Sequence, residues 1–359
     1  MKTIVVLTVS LAAHATLLAQ GPIAPLPGPP VASMKTLLEV WNAANGAQTG
    51  IVAVQTGVTS LVAAKEPRIA INATNTPGNS LNTFRISEKG SYYLTGNFTG
   101  SSGKIGIEIT SNNVTIDLMG FTIEGVAGSL DGITASFRSS IVIQNGTIKG
   151  FSGDGIDLRP GNAFSLESRI EGIIAAGNGG SGIVSTNSAI VRRCIASGNG
   201  AHGFSIGDNS TIEDCLALRN LNSGIVSDAG GIISNCVSSE NTQDGILVVG
   251  TWSSLLNNSC SRNGFGTGNG AGIHLGINAS NAVVENNKCS LAERGVEVNG
   301  TGSVIIRNFC ADNTNNWDIA ANYIYGPIVN RVVPASAAAT GNSAASTLGT
   351  TDPNANFSY

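Results

Sequence analysis

The chain has 359 residues, including 46 glycines, with a charged share of 12% and an aromatic share of 5%, so it is Gly-rich and charge-poor. A hydrophobic share of 42% excludes a disordered chain, and the glycines follow no Gly-X-Y period, which excludes collagen. With 19 basic against 23 acidic residues and a net charge of -4, there is no basic excess to neutralise phosphates, so nucleic acid is not an expected partner.

In chain order, residues 1–20 read as a secretory signal peptide: Met1-Lys2 gives a positive start, residues 4–13 are apolar, and small residues follow around Ala15 and Ala19. The apolar stretch is broken by His14 and too short to span a bilayer, so no transmembrane segment is expected after signal removal. The expected location is secreted, periplasmic or at the cell surface. Residues 21–33 hold five of the 11 prolines and form a Pro-rich linker. Residues 34–65 place Leu37, Trp41, Ala44, Gln48, Ile51, Val54, Val58 and Leu61 at steps of three or four, which predicts a helix with a face suited to oligomerisation; Gly46, Gly50 and Gly57 weaken it.

From Gly106 onward, a Gly followed by an apolar residue recurs at Gly132, Gly155, Gly182, Gly203, Gly224, Gly245, Gly272 and Gly295, at steps of 21 to 27 residues. Each anchor opens an alternating triplet such as Ile156-Asp157-Leu158 or Phe204-Ser205-Ile206, followed by a second short strand such as Val114-Thr115-Ile116 or Ile141-Val142-Ile143. A unit this short has no room for a helix and cannot bury its apolar face alone, so the units must stack. The fold class is all-β: a single-stranded right-handed parallel β-helix, a solenoid of about ten coils over residues 66–332. Trp317-Asp318-Ile319 reads as the final coil, and residues 333–359 as a loose, low-complexity tail.

Cys194, Cys215 and Cys236 each lie 12 residues after their anchor Gly, and Cys260, Cys289 and Cys310 lie in the same region of later coils, which reads as one inward stack of buried thiols. Disulfides compete with that reading, since export permits them. A metal site lacks any Cys-x-x-Cys pair. Asn178, Asn199, Asn220 and Asn241, each four residues before its Gly, form a second column suited to a left-handed corner and to amide stacking.

On Gly90-Ser91-Tyr92-Tyr93-Leu94-Thr95-Gly96-Asn97, Asn113-Val114-Thr115-Ile116-Asp117-Leu118-Met119-Gly120-Phe121-Thr122, Ile143-Gln144-Asn145-Gly146-Thr147-Ile148, Lys65-Glu66-Pro67-Arg68-Ile69 and Ala355-Asn356-Phe357-Ser358-Tyr359, the chain resembles the pectin-lyase-like superfamily. Within it, the chain looks like a group of exported bacterial β-helix proteins without an established activity. The resemblance runs from about residue 65 to the end and concerns the fold.

Two columns carry the candidate chemistry. The residue before each anchor reads Asp131, Asp154, Ser181, His202, Ser223, Asp244, Ala271, Arg294; the outward middle of each triplet reads Glu108, Thr134, Asp157, Val184, Ser205, Val226, Leu247, His274, Glu297. Glu108, Asp131, Asp154 and Asp157 are thereby expected on one face, where neighbouring carboxylates suit acid–base chemistry. Asp131, Asp154 and Asp157 also make a candidate calcium site, as the resemblance to β-helix lyases implies. The plainer reading is that Asp before Gly forms turns. Arg159 and Arg138 are the nearest basic residues. Ala201-His202-Gly203 is similar to the Gly-His-Gly motif of polygalacturonases, with Ala201 in place of the first Gly, and the aspartate motifs that accompany it there are absent. Val184, Val226 and Leu247, near Trp252, form an outward apolar strip that is either a docking face or covered by the loop at 264–270. The expected function is a non-catalytic recognition surface for polysaccharide. An acidic-glycan lyase or hydrolase is the alternative, and a phage-like spike or fibre a third.

Overall fold

The computed structural model describes residues 41–49, 52, 66–159, 167–264, 270–320, 324–330, 337–339, 342–345 and 350–359. The expected signal peptide and Pro-rich linker lie outside these residues. Of the helix expected over 34–65, residues 41–49 and Val52 are described and are helical. Glu66–Tyr359 is a separate compact unit and is described by itself.

That unit is a parallel β-solenoid with an 11-stranded sheet on one side and a 22-stranded sheet that wraps the rest of the coil. The 11-stranded sheet starts at Asn82–Ile86 and Ile105–Ile109 and ends at Arg294–Val298 and Asn315–Ile319. Its strands pair one coil to the next in strict register, so Ile107, Ile133, Ile156, Ile183, Phe204, Ile225, Ile246, Ile273, Val296 and Trp317 form one unbroken inward column. Every member is buried, and each such side chain contributes roughly 1.5–3 kcal/mol of apolar burial. The period-2 triplets have this cause: one residue fills the column and its neighbours point out.

The 22-stranded sheet contains two ladders per coil, for example Ile190–Arg192 then Ile195–Ser197, and Thr211–Glu213 then Leu216–Leu218. Between the two lies a sharp corner whose first residue is left-handed: Arg193 (φ 52°), Asp214 (φ 54°), Asn235 (φ 55°), Asn257 (φ 59°), Asn286 (φ 57°) and Arg307 (φ 59°). The residue after each of these points inward. There the thiols Cys194, Cys215 and Cys236 give way to the amides Asn258, Asn287 and Asn308 in one continuous column.

This corrects the single cysteine stack. Cys260, Cys289 and Cys310 pair with one another at the centre of the following ladder, in line with Ser238, not with Cys236. One extra residue before Ser254 puts Asn258 in the Cys236 position, and Cys260 lies two residues further on, so the shared region counted from the anchor is not a shared column. All six thiols are free and buried.

The asparagine column is a hydrogen-bonded ladder. The Asn178 amide donates to Asn199 at 3.1 Å, Asn199 to Asn220 at 2.9 Å, Asn220 to Asn241 at 2.9 Å and Asn241 to Asn263 at 2.9 Å. Each receiving oxygen also accepts the preceding coil's backbone N–H. The left-handed corner expected at these asparagines is carried instead by the residue before each, including Gly177, Gly198, Arg219, Glu240 and Arg262. The asparagine keeps ordinary backbone geometry and spends its side chain on the ladder.

The anchor glycines mark the tightest corner. A Cβ on Gly203 would meet the Gly224 carbonyl at 2.6 Å and the Asn220 amide at 2.7 Å, so successive anchors exclude one another's side chains. Opposite them the third ladder carries the small residues Ala175, Ala196, Ala217, Ser238 and Cys260.

Most of the tail after residue 333 lies outside the described residues, and its final residues pair with the solenoid. Asn356–Ser358 inserts as a parallel strand between Phe309–Ala311 and Ile328–Asn330, and Asn356 extends the amide column by accepting from Asn308 at 3.2 Å. Tyr359 stacks on Phe309 with ring centroids 5.2 Å apart.

Candidate functional site

The outer face of the 11-stranded sheet carries both candidate columns. Backbone register aligns Arg85, Glu108, Thr134, Asp157, Val184, Ser205, Val226, Leu247, His274, Glu297 and Asp318 as one outward file. The turn-mouth file runs beside it.

At the turn mouth an aspartate does the same structural work each time. Asp131 Oδ1 accepts the Asp154 N–H at 2.7 Å, Asp154 Oδ1 accepts the Ser181 N–H, and Asp244 Oδ1 accepts the Ala271 N–H at 2.8 Å. The carboxylate therefore ties its coil to the next, and the Asp–Gly pairs are turn formers with a cross-coil bond.

On the early coils the second oxygen of Asp154 meets Arg159, whose Nε also reaches Asp157 Oδ1 at 3.2 Å. Burial pushes the carboxyl groups of Asp131 and Asp154 above their ordinary range, outweighing the backbone N–H donors that pull them down. The structure thus brings Asp131, Asp154, Asp157 and Arg159 together. Glu108 stands apart, with Thr134 between it and Asp157, and is occupied by Asn82 at 2.8 Å and Arg85 at 3.4 Å. The expected four-carboxylate face is therefore a trio and an outlier, because each coil contributes one residue per file. Arg138 is not in the group; its Nε is buried without a hydrogen-bond partner. Among the described residues no cluster of acidic, His or Cys side chains is arranged to hold a metal ion. Arg159 is the positive charge paired with Asp154 and Asp157.

His202 lies further along the turn-mouth file. Burial lowers its pKa, only partly offset by the Ser223 backbone and the Asp154 charge, so the ring favours its neutral form. Its Nδ1 and the neighbouring Ser223 Oγ are buried with no hydrogen-bond partner. Val184 in the apolar strip is buried at 5% exposure, while Trp252 is 69% exposed.

A second polar group, which sequence reasoning left unassembled, lies on the late coils. His274 Nδ1 is 3.1 Å from Asp244 Oδ2, and the Asn299 amide nitrogen is 3.1 Å from His274 Nε2. An amide N–H facing Nε2 makes that nitrogen the acceptor, which leaves Nδ1–H to donate to Asp244. Glu297 accepts from Asn299 at 3.1 Å, lies 3.9 Å from His274 Nε2 and 3.7 Å from Arg294 Nη1. Arg294 Nε donates to Asp318 at 2.8 Å. Burial opposes protonation of His274, but Asp244 and Glu297 outweigh it and raise its pKa. The signal was present in the sequence: Asp244, His274, Arg294 and Glu297 all stand in the two files. Sequence position alone did not show that a mouth residue reaches the middle residue of the following coil.

Residues 105–259 match the family described as right handed beta helix region. The fold is a right-handed parallel β-helix. Among solved structures, this β-helix is similar to the A-module of the Azotobacter vinelandii mannuronan C-5 epimerase AlgE4, at 14% identity and a TM-score of 0.51, covering 76% of this chain and 94% of that one. It is also similar to pectate lyase Pel9A, at 16% identity and a TM-score of 0.42 over 74% of this chain and 69% of that one. A further similar structure is the Dettilon tailspike protein, at 16% identity and a TM-score of 0.45 over 78% of this chain and 60% of that one. No curated protein sequence matches the chain.

Proposed function

We propose that the protein is an exported, non-catalytic β-helix that presents the outer face of its 11-stranded sheet as a recognition surface for polysaccharide. The observation that carries this reading is the employment of the turn-mouth carboxylates. Asp131, Asp154 and Asp244 each hold a neighbouring coil through one oxygen, and Asp154 and Asp157 share Arg159. An acid–base pair needs two carboxyl groups free to exchange protons with substrate, and in the early-coil group Asp154 is committed through both oxygens and Asp157 is paired with Arg159, which leaves Asp131 without a free carboxyl partner. A long file with polar side chains at both ends and a mostly apolar middle of Val184, Ser205, Val226 and Leu247 suits extended contact with a polymer. The mannuronan epimerase module that shares the fold acts, by its name, on such a polymer; the proposal carries over glycan contact and not that reaction. Residues 21–65 serve as tether and point of assembly.

One observation favours the enzymatic reading: Asp131 and Asp154 have raised carboxyl pKa values, a property of general acids. Incubation of the mature protein with acidic and neutral glycans, with and without calcium, while reducing ends and unsaturated products are followed, separates the two. Retention of a glycan without turnover is expected. Sustained turnover abolished in Asp154→Ala overturns the non-catalytic reading.

A further inference from the structure

The recognition face is not uniform. Between the early trio and the late group, the two files carry Ser181, Val184, His202, Ser205, Ser223, Val226 and Leu247, a stretch without formal charge apart from the neutral-leaning His202. Beyond it, the late coils concentrate Asp244, His274, Arg294, Glu297, Asn299 and Asp318. Their ionisable side chains are only partly exposed, from 9% for Asp244 to 31% for Asp318.

Among the described residues, the guanidiniums of this face are already paired: Arg85 with Glu108, Arg159 with Asp154 and Asp157, Arg294 with Asp318 and Glu297. Carboxylates outnumber these cations. Around Arg294 stand Glu297 and Asp318, and the adjacent Glu293 has an Oε2 atom that is buried without a hydrogen-bond partner. A further carboxylate brought here by a ligand would meet excess negative charge and, among the described residues, no unpaired guanidinium. A sugar hydroxyl meets the opposite situation. It donates to Glu297 or Asp318 and accepts from the remaining N–H groups of Arg294, while the Asn299 amide, which gives its N–H groups to His274 Nε2 and Glu297, holds that carboxylate in place, so paired hydroxyls on one ring use both kinds of partner.

Resting on the reading of this face as a polysaccharide surface, we propose that the late-coil group of His274, Arg294, Glu297, Asn299 and Asp318 is a subsite for uncharged, hydroxyl-rich glycans that discriminates against polyuronates. Asp244 is a positioning residue: it fixes the His274 ring and keeps Nε2 directed toward Asn299 and Glu297. The specificity comes from repulsion as much as attraction, because removing cation from a surface rejects an acidic polymer without any steric device.

The test is affinity electrophoresis of the full mature chain through native gels containing a soluble β-glucan, a galactomannan or polygalacturonate, at low and high salt. Retardation by a neutral polymer, and none by polygalacturonate at low salt, is expected. Glu297→Gln and Asn299→Ala should each weaken neutral-glycan binding by about tenfold. Asn299→Ala leaves the ion pairs intact, and a thermal melt of both variants separates lost binding from lost folding. Arg219→Gln, which breaks a surface pair with Glu240 on another face, should bind as the parent does. Polygalacturonate retarding the protein at low salt as strongly as a neutral polymer overturns the selectivity and leaves the recognition surface standing. Neutral-glycan binding unchanged in both variants removes the subsite. No retardation by any polymer overturns the recognition surface and the subsite together.

Discussion

The early and late polar groups of this β-helix are built from the same part and put to different use. In both, an aspartate before an anchor glycine gives one oxygen to the next coil's backbone. At Asp154 the other oxygen meets Arg159, a side chain 60% exposed, and at Asp244 it meets the half-buried ring of His274. The first arrangement closes a charge pair at the surface. The second orients a titratable ring inside a network of carboxylates. A repeat can therefore keep its framework bond constant and vary chemistry through the partner of a single oxygen atom.

The largest expected effect tests the framework common to both regions. Asn220 lies between them, and Asn220→Leu removes the acceptor of the Asn199 amide and backbone N–H along with the donor to Asn241 and Ala196. Leaving those groups unpaired should cost about 3 kcal/mol in denaturant unfolding. A neutral result would mean that the ladder is dispensable and that the two regions are held separately.

Next come the aspartates themselves. Asp154→Ala and Asp244→Ala should each cost about 2 kcal/mol, since each strands a backbone N–H, while the Asn replacements keep an acceptor and cost less. Equal losses support a shared framework role. A loss only at Asp244 would reassign Asp154 to chemistry.

Asp244→Asn should also lower the pKa of His274 in an NMR titration, because the hydrogen-bonded negative charge raises it now. The same change at Asp154 should move His202 much less, since Asp154 is the smallest influence on that ring.

The smallest effects are in stability against pH, where the two histidines have opposite signs. The folded pKa of His274 is raised, so its contribution is complete below the unfolded value of about 6.5 and is lost as pH climbs through the folded value. The folded pKa of His202 is lowered, so its contribution is present above about 6.5 and is lost as pH falls through the folded value. His274→Gln should flatten the alkaline side of the profile and His202→Gln the acid side, each by less than about 1 kcal/mol after solvent screening of these partly exposed rings. Both variants altering the same side would break the contrast.

Much of the fold was legible because a stacked coil repeats its constraints. The glycine column could be read from spacing, and the structure supplies its reason in the carbonyl-to-Cβ clash between successive anchors. The cysteines were less legible: Asn258 takes the Cys236 position and Cys260 lies two residues beyond it, and placing a residue in the same region of its coil does not place it in the same column. The candidate site was legible as two files of residues, including Asp244 and His274, but not as contacts. Whether Glu108 joins the aspartates, or Arg159 turns toward them, depends on side-chain direction, which alternation alone does not fix.

The sequence by itself determined the stacking, the inward column and the placement of small residues at the tight corner, because only one period and one alternation satisfy burial in a coil of this length. It also fixed the scarcity of charge, since most positions are either buried or in turns. Tertiary structure alone decided which of the few charges meet. Residues more than twenty positions apart, such as Asp244 and His274 or Arg294 and Asp318, become neighbours because the next coil lies one strand spacing away. It also decided that the chain's last strand returns to pair with Phe309–Ala311, a long-range contact that no local pattern encodes.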